Sequence, residues 1–134
     1  MSIKIIDKLG LITLSQGKVA MVRSHNKDLF YIPGGKREQG ETDEQALCRE
    51  IEEELTLSLD VSSIRYYAEF VDLADGKQDG TQVRVRCYFA RYEGEPMPAA
   101  EIAELAWFDS RDLARCSSVA VHVLQQLKQD SLIN

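Results

Sequence analysis

What this chain has little of narrows its function first. Its three cysteines, Cys48, Cys87 and Cys116, are widely spaced and form no Cys-x-x-Cys pair. That pattern excludes a zinc site and a disulfide framework, and reads as reduced thiols filling the core of a cytoplasmic protein. No apolar run approaches the length needed to cross a bilayer. The N-terminus is interrupted by Lys4, Asp7 and Lys8, so neither a membrane partner nor a signal peptide is expected. Basic runs are also missing. With 16 lysines and arginines against 22 aspartates and glutamates, the net charge is −6, which argues against gripping a long nucleic acid. The two histidines, His25 and His122, have no partner at ligand spacing. No Asp-x-Asp-x-Asp-Gly run occurs, which excludes a calcium hand. Repeats and linkers are absent too, and 134 residues of ordinary composition are expected to fold as a single domain, 1–134.

What is present is concentrated. Between Gly35 and Leu57 stand eight acidic residues and three basic ones, a local balance of −5 that accounts for nearly all of the net charge. Thr42 followed by Gln45 is a capping box that opens a helix here. At about 100° per residue, Leu47, Cys48, Ile51 and Leu55 form one apolar arc that seats this helix on a sheet. Glu50, Glu53 and Glu54 form a second arc beside it, and Arg49 and Glu52 point toward water. Three neighbouring carboxylates repel one another unless something positive sits among them. Such hard oxygen donors suit Mg²⁺, with Mn²⁺ as a substitute, and both cations share their coordination with substrate phosphates.

Gly35, Glu41, Arg49, Glu50, Ile51, Glu53, Glu54 and Leu57 stand at the spacing Gly-x5-Glu-x7-Arg-Glu-U-x-Glu-Glu-x-Gly-U, where U is a bulky aliphatic residue. This segment resembles the signature of the Nudix hydrolases, and Phe30-Tyr31-Ile32-Pro33-Gly34 resembles the strand and turn that lead into it. Thr56 departs from the pattern by replacing a glycine that normally closes the helix. A β-branched residue suits a left-handed closure poorly, so the helix is expected to continue for a further turn.

The resemblance implies an α/β (α+β) fold, a Nudix-like α/β/α sandwich with a mixed central sheet. It implies metal-assisted attack of water on a diphosphate bond of a small-molecule nucleotide or nucleoside diphosphate derivative. Glu50, Glu53 and Glu54 match the family's metal ligands, joined in relatives by the backbone carbonyl of Gly35. Glu41 and Arg49 are expected to pair and brace the loop against the helix. A further glutamate near the last strand often serves as ligand or base. Glu101 and Glu104 are the candidates, with Glu104 favoured because it directly precedes Leu105–Phe108, and Glu53 and Glu54 also stay open as the base. Lys36, Arg37 and Arg23 are the cations nearest to a phosphate chain, each weighed against a plain solvated role. The stretch between Pro33 and Pro96 lacks the downstream proline of ADP-ribose hydrolases, which favours a nucleoside triphosphate cut to monophosphate and pyrophosphate. ADP-ribose, sugar-nucleotide and dinucleoside polyphosphate hydrolysis, or nucleotide sensing without cleavage, are the alternatives. A homodimer is left open.

Elsewhere the pattern alternates. Strands are expected at 3–13, at 19–23 pairing back on the first, at 30–32, 64–73, 81–92 and 105–108, with a terminal helix over 118–129.

Overall fold

The first strand sets the frame of the molecule. In the computed structural model, which describes residues 3–134, β1 (Ile5–Ile12) buries Leu9 and Leu11 on one face against Leu47, Ile51 and Leu55 of the first helix, α1 (Asp43–Leu55). Its other face joins a second cluster. There Ile12 packs with Val83, Val85 and Cys87 of β7 (Gln82–Phe89), and with Val119, Val123, Leu124 and Leu127 of the last helix, α2 (Ser118–Gln129). The period-two alternation of strand side chains thus builds two cores, one on each side of the sheet.

The larger sheet runs in the order β4 (Gly34–Lys36), β1, β7, β6 (Arg65–Leu73). Parallel pairing of β1 with β7 among antiparallel neighbours makes it mixed. A second sheet joins β2 (Leu14–Ser15), β3 (Lys18–Ser24) and β9 (Ile102–Phe108), and a short pair links β5 (Ser58–Leu59) with β8 (Tyr92–Glu93). No helix among the described residues is long and apolar enough to cross a membrane.

Three expectations are corrected here. The second strand does not lie back along β1. After the tight turn at Gln16 and Gly17, both at positive φ, it pairs with the two residues of β2 and then runs antiparallel to β9. Residues 30–32 make only isolated bridges, Tyr31 to Val22 and Phe30 to Cys116, and the strand comes after Pro33 as β4. Gly34, at φ 143°, lies so close to the Leu9 carbonyl that any Cβ would collide with it, so only glycine lets the chain approach β1 there. The last strand begins at Ile102, three residues before the expected start.

Helix α1 opens as expected. The Thr42 hydroxyl accepts the Gln45 N–H at 3.1 Å, and the Gln45 side chain accepts the Thr42 N–H at 2.9 Å. Its end differs from expectation: the helix stops at Leu55, and Thr56 closes it in the left-handed conformation, φ 60° and ψ 32°. Forcing a β-branched residue there costs about 1–2 kcal/mol, partly offset by the greater entropy a glycine loses on folding. Thr56→Gly is therefore expected to raise stability by about 0.5–1 kcal/mol, read as a higher urea midpoint with an unchanged slope.

Candidate active site

Two glycines and one buried helix face bring three carboxylates together. Packing of Leu47, Ile51 and Leu55 turns Glu50 and Glu54 toward β4. The Gly34 N–H donates to Glu54 Oε1 at 3.0 Å. The Glu50 carboxylate lies against the α-carbon of Gly35, where a side chain would displace it. The third group arrives on the loop before β9. The Met97 and Ala99 amides donate to the carbonyls of Leu55 and Glu54, both at 2.9 Å, satisfying acceptors that the helix end leaves open. The Glu101 carbonyl accepts the His25 N–H at 2.9 Å. Glu50, Glu54 and Glu101 thereby present carboxylate oxygens that all lie within 4.8 Å of one another.

Burial makes this cluster electrostatically costly. Glu54 is 2% exposed, and desolvation, together with the adjacent Glu101 carboxyl, pushes its pKa up to about 8 despite the Gly34 hydrogen bond. The pKa of Glu50 is also raised, chiefly by burial, against the pull of Arg49. Carboxylates crowded in this way have a donor set and an electrostatic need that fit a hard divalent cation. The three glutamates line a cleft of about 630 Å³, whose wall also includes the apolar side chains of Ile6, Ile32, Val83, Val85 and Val119.

The NUDIX domain family model matches residues 8–127, nearly the whole chain. This chain belongs to the Nudix hydrolase family. Solved structures agree on the fold. The Escherichia coli ORF135 protein superposes with a TM-score of 0.73 at 22% identity, over 96% of this chain and 94% of that one. A structure from a study of MutT from Aliivibrio salmonicida and Vibrio cholerae gives 0.71 at 24% identity, over 95% and 99%. A bifunctional NMN adenylyltransferase/ADP-ribose pyrophosphatase from Francisella tularensis, complexed with AMP and manganese, gives 0.70 at 18% identity, over 97% of this chain and 43% of that one. Comparison with curated proteins gives no match.

Around the cluster, the other residues of the Nudix box take distinct positions. Arg49 does not point to water. It folds back to the loop, donating through Nε and Nη2 to the two oxygens of Glu41, both at 2.8 Å, to Glu50 at 2.8 Å and to the Lys36 carbonyl at 3.0 Å. Those bonds hold the Glu41 carboxyl well below its ordinary value, at about 2. Glu53 is exposed, and its carboxylate stands 3.7 Å from the Arg49 guanidinium. Lys36 lines the cleft. Arg37, which follows β4, pairs instead with Asp7 at 3.2 Å and Asp43 at 2.5 Å. Glu104 lies within β9 opposite Arg23, and the two pair at 3.3 Å beside a separate, smaller depression. The structure thus gathers Gly35, Glu50, Glu54, Glu101 and Lys36 at one place, and keeps Arg23, Arg37 and Glu104 away from it.

Sequence reasoning passed over several charged cleft residues, Lys8, Lys27, Asp28, Asp75 and Lys77, of which Lys8 alone lies within a strand. It stands on the β1 face shared by Ile6, Gly10 and Ile12, and a lone cation in an otherwise uncharged alternating face was the available signal. His122 bonds Asp72 at 2.8 Å, and neither lines the cleft. Burial pushes the Cys87 thiol up to about 12, as suits an inert core residue.

Proposed function

We propose that this Nudix protein hydrolyses a phosphoanhydride bond in a small nucleotide with the help of Mg²⁺ or Mn²⁺, and that its substrate is a nucleoside triphosphate, which water converts to a monophosphate and pyrophosphate. The observation that carries this reading is the convergence of Glu50, Glu54 and Glu101 within 4.8 Å on the wall of the cleft. A volume of about 630 Å³ suits a ligand of nucleotide size, with apolar side chains for a base and charged ones for metal-bound phosphates. The Francisella relative, whose structure holds AMP and manganese, supports the same ligand chemistry.

In this reading Glu50, Glu54, Glu101 and the Gly35 carbonyl would hold the cation, with Glu53 as a further donor on the exposed side of the helix. When bound, the cation supplies positive charge to phosphate oxygens. Glu101, exposed and facing the cleft, takes the proton of the attacking water. Arg49 and Glu41 keep the loop and helix in register, so that these groups meet the phosphorus in one geometry.

The test is chromatographic product analysis on a panel of ordinary and oxidised nucleoside triphosphates, ADP-ribose, dinucleoside polyphosphates and sugar nucleotides, with Mg²⁺ and then Mn²⁺. Native protein is expected to consume the triphosphates and release pyrophosphate. Glu50→Gln and Glu101→Gln should each lower kcat at least about 10²-fold. Turnover of another class would reassign the substrate, and no turnover of any compound would remove the hydrolase reading.

A further inference from the structure

One loop in the wall of the cleft is tied to the rest of the molecule through a single side chain. Residues 74–81 join β6 to β7, and Ala74, Asp75, Gly76 and Lys77 among them line the cleft. The hairpin closes on itself. The Ala74 N–H donates to the Thr81 carbonyl at 2.9 Å, and the Lys77 N–H to the Ala74 carbonyl at 3.2 Å. Residues 75–80 are all exposed, so hydrogen bonds carry most of their placement. Among the described residues, the hydrogen bonds that tie this loop to another element both end on Asp75. Ser118, the first residue of α2, donates to the two oxygens of its carboxylate, through N–H at 2.9 Å and through Oγ at 3.0 Å.

The same bonds serve the helix. Ser117 stands at the N-cap of α2 but makes no side-chain capping bond, so a first-turn amide is satisfied from a residue 43 positions away. A carboxylate at that end is also favoured by the helix dipole. Ser117 and Val119 line the same cleft as the loop, and the Asp75–Ser118 clip thus joins two parts of one wall. The rest of the seam between β6 and α2 has its own fastenings. Asp72 bonds His122 at 2.8 Å, and the Tyr67 hydroxyl donates to Asp130 at 2.6 Å. Tyr67, Phe70 and Ala74 pack on the core that holds Val119 and Val123. Asp72, His122, Tyr67 and Asp130 do not line the cleft. Loss of the clip therefore frees the loop and leaves α2 on the sheet.

A wall that is ordered before binding costs a ligand less than one it must order itself. Affinity falls in proportion to the fraction of molecules that hold the competent form. Resting on the reading of the cleft as the nucleotide site, we propose that Asp75 is a positioning residue. Its clip to Ser118 keeps the hairpin loop and the start of α2 together as a preformed wall, and thereby sets how tightly a nucleotide is held. The carboxylates of Glu50, Glu54 and Glu101 are carried by α1 and by the loop before β9, so the clip acts on binding and leaves the chemical step alone.

Asp75→Ala is expected to raise KM for the triphosphate consumed by about three- to tenfold while kcat stays within about twofold, the scale of losing exposed hydrogen bonds to a charged group. Nucleoside monophosphates titrated by calorimetry into the Mg²⁺-loaded protein should bind more weakly by the same factor. Asp75→Asn should recover most of that affinity, since its amide can accept the Ser118 N–H through oxygen and donate to Oγ through nitrogen. His122→Ala is the control. It removes a bond of the same seam away from the cleft, and should lower the urea midpoint without moving KM. Hydrogen exchange at the Ala74, Lys77 and Ser118 amides should quicken in Asp75→Ala and not in His122→Ala. A lower urea midpoint with KM and monophosphate affinity unchanged would show that Asp75 only caps the helix, and would overturn the proposal. Should Asp75→Ala fail to fold, Ser118→Ala decides by the same readouts, since it deletes one of the two bonds and alanine suits a helix. Absence of turnover with every compound would reject the hydrolase reading, while the monophosphate titrations still judge the clip. Absence of monophosphate binding to the native protein would reject the clip as well.

Discussion

Glu54→Gln is expected to abolish turnover and at the same time make the metal-free protein more stable above neutral pH. The carboxyl of Glu54 is 2% exposed and its pKa stands at about 8, against an ordinary value of 4.5. Between those values the folded state keeps a proton that the unfolded chain has released. More protons bound in the native state means that stability falls as pH rises. The contribution of Glu54 is therefore fully present below about pH 4.5 and is lost as pH climbs through about 8. The whole shift corresponds to roughly 5 kcal/mol, an upper figure because relaxation and water entry soften it. Glutamine is neutral at every pH. Its carbonyl oxygen can still accept the Gly34 N–H, and its amide can donate to Glu101. Urea melts in EDTA at pH 5.5 and 8.5 should show wild-type stability falling, with a residual slope from Glu50 in the variant. Adding Mn²⁺ at pH 8.5 should restore stability to the wild type only, since a ligand that binds the folded state alone stabilises it. Equal wild-type stability at both pH values would show that Glu54 is already ionised without a metal.

The parts of this site that the sequence made legible are those set by local periodicity. Glu50 and Glu54 follow from the helical angle between them and the apolar arc of Leu47, Ile51 and Leu55, which can be counted along the chain. The Thr42 to Gln45 capping box is equally local and formed as expected. What the sequence did not disclose depends on contacts between distant segments. On sequence alone the last strand spans Leu105–Phe108, and Glu104, directly before it, is the favoured candidate. That strand starts at Ile102, so the residue in that place is Glu101. The earlier start reflects pairing of Ile102 with Ser24, across an irregularity at Arg23, and no local propensity in residues 95–104 announces it. Thr56 fails in the opposite sense. Its preference argued against a left-handed helix end, yet the chain must turn there so that Leu57 can join the core with Leu55, and that burial outweighs the local strain. Lys8 was legible only as an odd charge until its register against Lys36 was known.

Arg49→Ala is expected to lower kcat about 10²-fold, because loss of sub-ångström placement has that order of effect, while KM stays nearly constant. Its guanidinium ties the loop to the helix through Glu41, Glu50 and the Lys36 carbonyl together. It is not among the cleft-lining residues, so its loss removes no substrate contact directly. Without it, the Glu50 carboxylate loses its only hydrogen-bonded cation among the described residues and is free to swing away from Gly35 and Glu54. The end of β4 at Lys36 and the loop that follows it loosen at the same time. Arg49→Lys should recover only part of the rate, since an ammonium cannot reproduce a planar fork on both oxygens of Glu41. Glu41→Gln alone should cost less than Arg49→Ala, because Arg49 keeps its bonds to Glu50 and the Lys36 carbonyl. The double variant should be little worse than Arg49→Ala, the mark of two groups acting as one brace. Steady-state kinetics on the four proteins separates the cases. A rise in KM at constant kcat would mean that Arg49 touches the substrate. Additive losses would mean that Glu41 and Arg49 act independently, and the brace would have to be abandoned.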